Sequence, residues 1–65
     1  MASPIFASLF IKKYVVQLRK SPAGPWQEQE AYRRLDEARQ ALQRLLRQNP
    51  GAEGRIINRL TGRPV

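Results

Sequence analysis

A single amphipathic helix is the feature that most restricts the fold of this chain. Between Leu35 and Gln48, apolar residues recur at intervals of three and four, which is the pattern of one helix face. This apolar stripe consists of Leu35, Ala38, Leu42, Leu45 and Leu46. The helix should end at Asn49-Pro50-Gly51, because proline cannot continue a helix and Asn or Gly can adopt the left-handed cap. The rest of the chain therefore has to pack against this stripe.

Two segments rich in β-branched residues predict strands on which the helix can pack. In the first segment, residues 13–19, alternation places Tyr14, Val16 and Leu18 on one face of the sheet. The second segment covers residues 55–61 and is stopped by the glycine that follows it. The first strand therefore has a core face and a face that is mostly exposed to water.

The segment from Trp26 to Arg34 has two interpretations. High helix propensity, with Glu30 four residues before Arg34, favours a helix. As an extended segment it instead forms a hairpin across the Pro-rich loop at residues 21–25, with Trp26 and Tyr32 on one face. We favour the hairpin, because two strands and a helix bury little surface, whereas three strands with a helix on one face form a viable domain. The expected fold is α+β, with a three-stranded, mainly antiparallel sheet and one helix packed on one face, in the order β-β-α-β.

The chain divides into an apolar amino-terminal arm, residues 1–11, a single small domain, residues 12–62, and a carboxy-terminal tail, residues 63–65. The arm is too short to span a bilayer, which takes about 20 apolar residues. Lys12 and Lys13 follow the apolar run, whereas a secretory signal carries its positive charges before that run. We therefore expect a cytoplasmic protein with no membrane span. The arm is expected to pack on the sheet or in a homodimer contact, with membrane docking and disorder as the alternatives.

The composition argues against an enzyme. The chain has 65 residues and contains no Cys and no His, which excludes disulfides, thiolate nucleophiles, Ser-His pairs and the usual zinc sites. Glu28 and Glu30 are the only spaced carboxylates that resemble an acid/base pair. On a strand they share a face, but no catalytic partner accompanies them, so we expect solvated or ion-paired surface residues. No catalytic residue, no cofactor and no metal site are expected.

One glycine motif, Gly51-Ala52-Glu53-Gly54, has the form of a loop that clamps the RNA backbone in one class of RNA-binding modules. That loop joins two helices, whereas this segment joins a helix to a strand. Glu53 would also repel phosphate. A helix cap and a tight turn therefore explain both glycines.

The charge distribution predicts a basic surface. The chain has 12 Lys and Arg against 5 Asp and Glu, a net charge of +7, and most of the acidic residues lie between Glu28 and Glu37. The cations next to the two strands should form one patch that attracts phosphates or an acidic protein face. The alternative is a solvated surface that keeps the protein soluble. Trp26 is either a lid on the small core or an exposed anchor. The candidate partner-binding residues are Lys12, Lys13, Arg19, Lys20, Trp26, Arg55 and Arg59.

The order of these segments, over residues 13–60, is similar to that of small uncharacterised proteins encoded by bacteriophages and prophages. The segments that carry the resemblance are Tyr14-Val15-Val16-Gln17-Leu18, Gly24-Pro25-Trp26, Leu35-Asp36-Glu37-Ala38, Asn49-Pro50-Gly51-Ala52 and Arg55-Ile56-Ile57. The chain departs from that pattern at Arg34, where such helices usually begin with Ser or Thr. Members of the group that inhibit host machinery dock on a host protein, often through charge.

The resemblance implies a small non-enzymatic accessory protein that binds and modulates or inhibits a larger host protein, with its basic surface against an acidic surface of that protein. A phage-encoded chain would then act in the host cytoplasm. The charge alone favours an alternative, a non-sequence-specific nucleic-acid-binding protein that uses the same cations. A homodimer is also expected, because a single core is marginal at this length.

Overall fold

The structure is a computed structural model that describes residues 12–65, so the predicted amino-terminal arm at residues 1–11 lies outside the described residues. The described chain forms an antiparallel sheet of four strands with one helix. Along the chain, the elements are β1 (Tyr14–Arg19), β2 (Gln27–Tyr32), α1 (Leu35–Gln48), β3 (Glu53–Asn58) and β4 (Arg63–Pro64). Across the sheet, the strand order is β2-β1-β3-β4. The predicted α+β class is confirmed, and the ambiguous segment before α1 is a strand.

The helix occupies the residues that the apolar repeat predicts, 35–48. Arg34 is the N-cap residue and makes no side-chain cap bond, in keeping with the absence of Ser or Thr at this position. At the other end, the backbone N–H and the side-chain amide of Asn49 both donate to the Leu45 carbonyl oxygen, at 3.0 and 2.8 Å. The left-handed conformation falls on Gly51, with a φ of 85°. Asn49 therefore caps the helix through hydrogen bonds, and the left-handed turn follows it.

The prediction of a three-stranded sheet was wrong, because the predicted tail at residues 63–65 contributes a fourth strand. The preceding strand, β3, ends at Asn58 rather than Thr61. The Asn58 carbonyl accepts hydrogen bonds from the N–H groups of Thr61 and Gly62, at 3.2 and 2.7 Å, and Gly62 has a φ of 72°. This tight turn reverses the chain and brings Arg63 opposite Asn58.

The core lies between α1 and one face of the sheet. Tyr14, Val16 and Leu18 face the helix, as the alternation in β1 predicts, with Tyr14 only partly buried. The buried members of the core are Val16, Leu18, Ala38, Ala41, Leu45 and Ile56. The apolar stripe of the helix is thus covered by β1 and β3, the two central strands.

Gly54 allows α1 to lie close to β3. A Cβ atom at this position would overlap a methyl group of Leu42 and would lie 3.1 Å from a methyl group of Leu18. The positive φ values among the described glycines are at Gly51 and Gly62, not at Gly54. The explanation of Gly54 as part of a tight turn was therefore wrong, because this glycine lies within β3 without a positive φ and leaves room for the side chains of Leu42 and Leu18.

A bulge in β2 determines which of its side chains face the helix. Against β1, Val16 pairs with Glu30 but Gln17 pairs with Glu28, which leaves Gln29 as the extra residue. The two glutamates therefore point to opposite sides of the sheet. The expectation that they share a face was wrong, because strict alternation holds only along an unbroken ladder.

The same bulge separates the two aromatic residues of the hairpin. Tyr32 packs against the core under α1, whereas Trp26 contacts residues on the side of the sheet away from the helix. The prediction that these two residues share one face was wrong. We call the side away from α1 the open face. Its residues are Val15, Gln17, Arg19, Trp26, Glu28, Glu53, Arg55 and Ile57, together with Arg59, which follows β3 and pairs with Glu28.

Candidate functional site

The open face holds a cluster of one tryptophan and two arginines. The guanidinium carbon of Arg19 lies 4.5 Å from the centroid of the Trp26 ring, and that of Arg55 lies 4.2 Å from it. Both distances are within the range of cation–π contacts. Trp26 is half-buried in this arrangement. We call these three residues the Trp/Arg cluster.

The sheet register brings the cluster together. Arg19 is the last residue of β1 and pairs with Glu53, and the next pair on the open face joins Gln17 to Arg55. The two arginines are therefore diagonal neighbours on adjacent strands. Trp26 immediately precedes β2, which lies on the other side of β1. Residues that are distant in sequence thus meet at one end of the open face.

Hydrogen bonds fix both guanidinium groups of the cluster. Arg19 donates from Nε and Nη2 to one carboxylate oxygen of Glu53, at 2.8 and 2.6 Å. Arg55 donates from Nε to the side-chain oxygen of Gln17 at 2.8 Å. Among residues 12–65, the two terminal nitrogens of Arg55 have no hydrogen-bond partner. They can therefore donate to a carboxylate or a phosphate of a partner molecule.

Two glutamates lie next to arginines on the open face. Glu53 pairs with Arg19, and a Glu28 carboxylate oxygen lies 3.9 Å from a terminal nitrogen of Arg59, the residue after β3. This surface therefore carries both signs of charge rather than being uniformly basic.

The three predicted lysines lie away from the Trp/Arg cluster or at its margin. Lys12 and Lys13 precede β1 and Lys20 follows it, so a six-residue strand of about 20 Å separates the two groups. The Lys13 ammonium lies 5.3 Å from the centroid of the Tyr14 ring. The structure thus brings together Arg19, Trp26 and Arg55, adds Arg59 on the same face, and does not gather the lysines with them into one patch.

A cleft of about 530 Å³ opens at the end of β1, between β2 and the carboxy-terminal end of α1. Lys20 contributes to its wall beside several side-chain amides. The amide residues that line the cleft are Gln27, Gln29, Gln48 and Asn49. Among residues 12–65, no carboxylate lines the cleft.

A second polar cluster joins β2 to α1 on the helix side of the sheet. The Tyr32 hydroxyl donates a hydrogen bond to Glu30, and Arg44 donates to the same carboxylate oxygen at 2.5 Å. The hydrogen bond from Tyr32, together with the nearby Arg44 charge, holds the pKa of Glu30 below its ordinary value. The same hydrogen bond raises the pKa of the Tyr32 hydroxyl. These contacts fasten the edge strand to the helix.

The sequence reasoning missed Gln17 and Glu53, the two residues that hold the arginines in place. The alternation in β1 places Gln17 on the face exposed to water, and the sequence places Glu53 in the segment that joins the helix to the next strand, with no further role for either residue. Their roles depend on the register of β1 against β3, which pairs Gln17 with Arg55 and Arg19 with Glu53. The available signal was the alternation of Glu53, Arg55 and Ile57, which indicates one strand face once β3 is extended back to Glu53.

Comparison with protein-family models finds no matching family, and neither curated proteins nor solved structures give a match. Within residues 12–65, no helix combines the length and the apolar character needed to cross a membrane. In the same part of the chain, no group of Asp and Glu side chains is arranged to hold a metal ion. The function therefore has to be inferred from the surfaces of the protein.

Proposed function

We propose that this chain is a small non-enzymatic binding protein whose open face docks on an acidic surface of a larger protein. The observation that carries the proposal is the Trp/Arg cluster, in which an indole and two guanidinium groups are held together on a sheet face. Trp and Arg are among the residues most enriched at positions that dominate protein–protein binding energy. Because hydrogen bonds already fix the two arginines, less side-chain entropy is lost on association.

The predicted partner-binding residues have different roles in this proposal. Trp26 supplies the apolar anchor, and Arg55 donates its free terminal nitrogens to a carboxylate of the partner. Lys12, Lys13 and Lys20 lie at the two ends of β1. They attract an acidic partner before contact, over a screening length of about 8 Å at physiological ionic strength.

The charges of the open face favour a protein over a nucleic acid as the partner. Glu28 and Glu53 lie among the arginines and would repel the phosphates of a nucleic-acid backbone. An acidic protein surface that also carries a few basic residues can accommodate both signs of charge. The resemblance to small phage-encoded proteins supports a host protein in the host cytoplasm as the partner, which this chain would modulate or inhibit.

Nucleic-acid binding through the open face is the second candidate function. The observation in its favour is that the Trp/Arg cluster places an aromatic ring among cations, as modules that stack bases do. In this case a nucleobase would have to replace one of the two guanidinium groups that contact the Trp26 ring.

Self-association stays a prediction. Val15 lies on the open face but is only 3% exposed in the single chain, so its burial does not require a second copy. Two large apolar side chains in the described part of the chain are exposed, Leu60 and Val65. Sedimentation velocity at high micromolar concentration tests for a dimer, and a single monomeric species with a cooperative melt would exclude it.

Affinity capture from a bacterial lysate, with and without nuclease, tests the proposed function. The wild type is compared with the charge reversal Arg55→Glu/Arg59→Glu. We expect the wild type to retain a protein that survives nuclease treatment. The double variant should lose this protein while its circular dichroism stays unchanged, because neither Arg55 nor Arg59 belongs to the hydrophobic core.

A matched control carries the same change in charge at Arg34 and Arg63, which are exposed and lie outside the open face. Arg34→Glu/Arg63→Glu should keep the captured protein. Equal retention by both double variants would contradict the proposal. Capture that depends entirely on nucleic acid, and that Arg55→Glu/Arg59→Glu loses whereas the control keeps it, would support the second candidate instead.

A further inference from the structure

The outer face of α1 is a second cationic surface, on the opposite side of the sheet from the open face. From Arg39 onward, its exposed residues are all either arginine or glutamine. We call them the Arg/Gln stripe: Arg39, Gln40, Gln43, Arg44, Arg47 and Gln48. The acidic residues of the helix, Asp36 and Glu37, lie in its first turn, before the stripe begins.

The arginines of the stripe are largely free of partners. Arg39 and Arg47 make no ion pair within residues 12–65, whereas Arg44 is held by Glu30 from β2. Glu37, at the start of the helix, lies 4.0 Å from Arg34. Two guanidinium groups are therefore available for an anion on this face.

We infer that the Arg/Gln stripe binds the phosphate backbone of duplex nucleic acid, whatever the base sequence of the duplex. Arg39 and Arg47 are separated by a rise of about 12 Å along the helix, which equals the approximate width of the major groove of B-DNA. Two arginines at this spacing can reach phosphates on both sides of the groove. Gln43 lies between them and adds amide donors for phosphate oxygens.

A hollow beside the stripe can accept a phosphate group. It has a volume of about 480 Å³, and Gln40, Arg44 and Arg47 contribute to its wall. Glu37 also lines it, so a phosphate would bind nearer to Arg47 than to the first turn.

The composition of the stripe distinguishes nucleic acid from a lipid surface. A helix that binds a membrane interface inserts an apolar face, but the apolar face of α1 is buried against the sheet. Unlike the Trp/Arg cluster, the stripe has no tryptophan or tyrosine beside its arginines to anchor a protein partner. Hydrogen-bond donors and unpaired positive charge are what a phosphate backbone requires.

The binding should be weak and should weaken further as the salt concentration rises. Few phosphate contacts on one short helix place it in the usual range for non-specific complexes, with a Kd of roughly 10⁻⁴ to 10⁻⁶ M at physiological salt. The stripe lies outside the open face, so this inference does not depend on the proposed function.

Fluorescence anisotropy of a labelled duplex DNA of mixed sequence, titrated with the full chain at several salt concentrations, tests the inference. Each lost phosphate contact should reduce the slope of log K against log salt by about 0.9. Arg39→Gln/Arg47→Gln should therefore reduce it by about 1.8. The charge-matched control Arg34→Gln/Arg63→Gln should leave it unchanged. Gln43→Arg should steepen it by about 0.9, which gives a test by gain of binding.

Three results would overturn the inference. The first is an equal loss of slope in both double variants, since binding would then depend only on total charge. The second is an unchanged slope in Arg39→Gln/Arg47→Gln and in Gln43→Arg. The third is equally tight, Arg39- and Arg47-dependent binding to vesicles of phosphatidylserine and phosphatidylcholine, which would assign the stripe to a lipid surface.

Discussion

The two cationic surfaces of this protein differ in what surrounds their arginines. On the open face, Arg19 is held by Glu53 and Trp26, and Arg55 is held by Gln17 and the same indole. On the Arg/Gln stripe, only Arg44 makes an ion pair among residues 12–65, and that pair fastens the helix to β2. Arg19 and Arg55 are thus fixed on one side of the molecule, whereas Arg39 and Arg47 make no ion pair among residues 12–65 on the other.

This difference indicates what each surface is suited to bind. Fixed arginines with adjacent carboxylates and an indole match one particular arrangement of partner groups. Free arginines without carboxylates between them match any regular array of negative charge. A net charge of +7 describes the chain as a whole and cannot distinguish these two surfaces.

Of the four predicted effects, the loss of binding on replacing Trp26 should be the largest. It should affect binding at the open face only. Trp26→Ala removes the anchor of the open face, so capture of the protein partner should weaken by about 30-fold or more, the loss typical of a hot-spot residue. Trp26→Phe should keep part of the affinity. Duplex binding should not change, and a parallel loss of both activities would show that the two surfaces are not separate.

A substitution at Gly54 should disturb the packing between α1 and the sheet, which lies between the two cationic surfaces. Gly54→Val places a side chain against Leu42 and Leu18, and overpacking of this kind costs about 1–3 kcal/mol. Chemical denaturation monitored by circular dichroism measures the loss. Leu42→Ala in the same chain should recover part of it, whereas strictly additive losses would show that the overlap with Leu42 is not the cause.

Removal of the open-face carboxylates should make that face resemble the stripe. Glu28→Gln/Glu53→Gln should change the free energy of unfolding by less than about 1 kcal/mol per pair, because the Glu28–Arg59 pair is exposed and the Glu53–Arg19 pair is only partly buried. Affinity for duplex DNA should rise at low salt, since the freed arginines become available to phosphate. If duplex affinity does not change, the carboxylates are not what keeps nucleic acid from the open face.

Acid should weaken the attachment of α1 to β2, and this should be the smallest of the four predicted effects. The pKa of Glu30 in the folded protein lies below its ordinary value of 4.5, so the unfolded chain binds its proton more readily. The stabilisation is therefore present above pH 4.5 and is lost as the pH falls through the lowered folded value. In Glu30→Gln this part of the acid dependence should be absent from thermal melts, and an identical profile would contradict the assignment.

The helix and the faces of β1 could be predicted from the sequence because both follow from local periodicity. The repeat of apolar residues determines α1, and the alternation of Val16 and Leu18 determines the core side of the first strand. Such patterns depend only on neighbours along the chain.

The bulge, the fourth strand and the Trp/Arg cluster could not be predicted in the same way. Gln29 becomes an extra residue only through the pairing of β2 with β1, and β4 forms because the turn after Asn58 returns the chain to β3. The pairing of Arg19 with Glu53 likewise requires the strand register. The sequence placed Trp26, Arg19 and Arg55 in one set of candidate residues but contained no information about their mutual contact.

The accessibility of Trp26 to acrylamide is the most direct test of the two-surface proposal, because this residue is the only tryptophan in the chain and belongs to the open face. Fluorescence quenching is measured for the free protein, with the protein purified by capture, and with saturating duplex DNA. The proposal predicts that the captured protein shields Trp26 and that the duplex, bound at the Arg/Gln stripe, does not. A Trp26 that stays fully accessible in the protein complex, or that is shielded equally by the duplex, would contradict it.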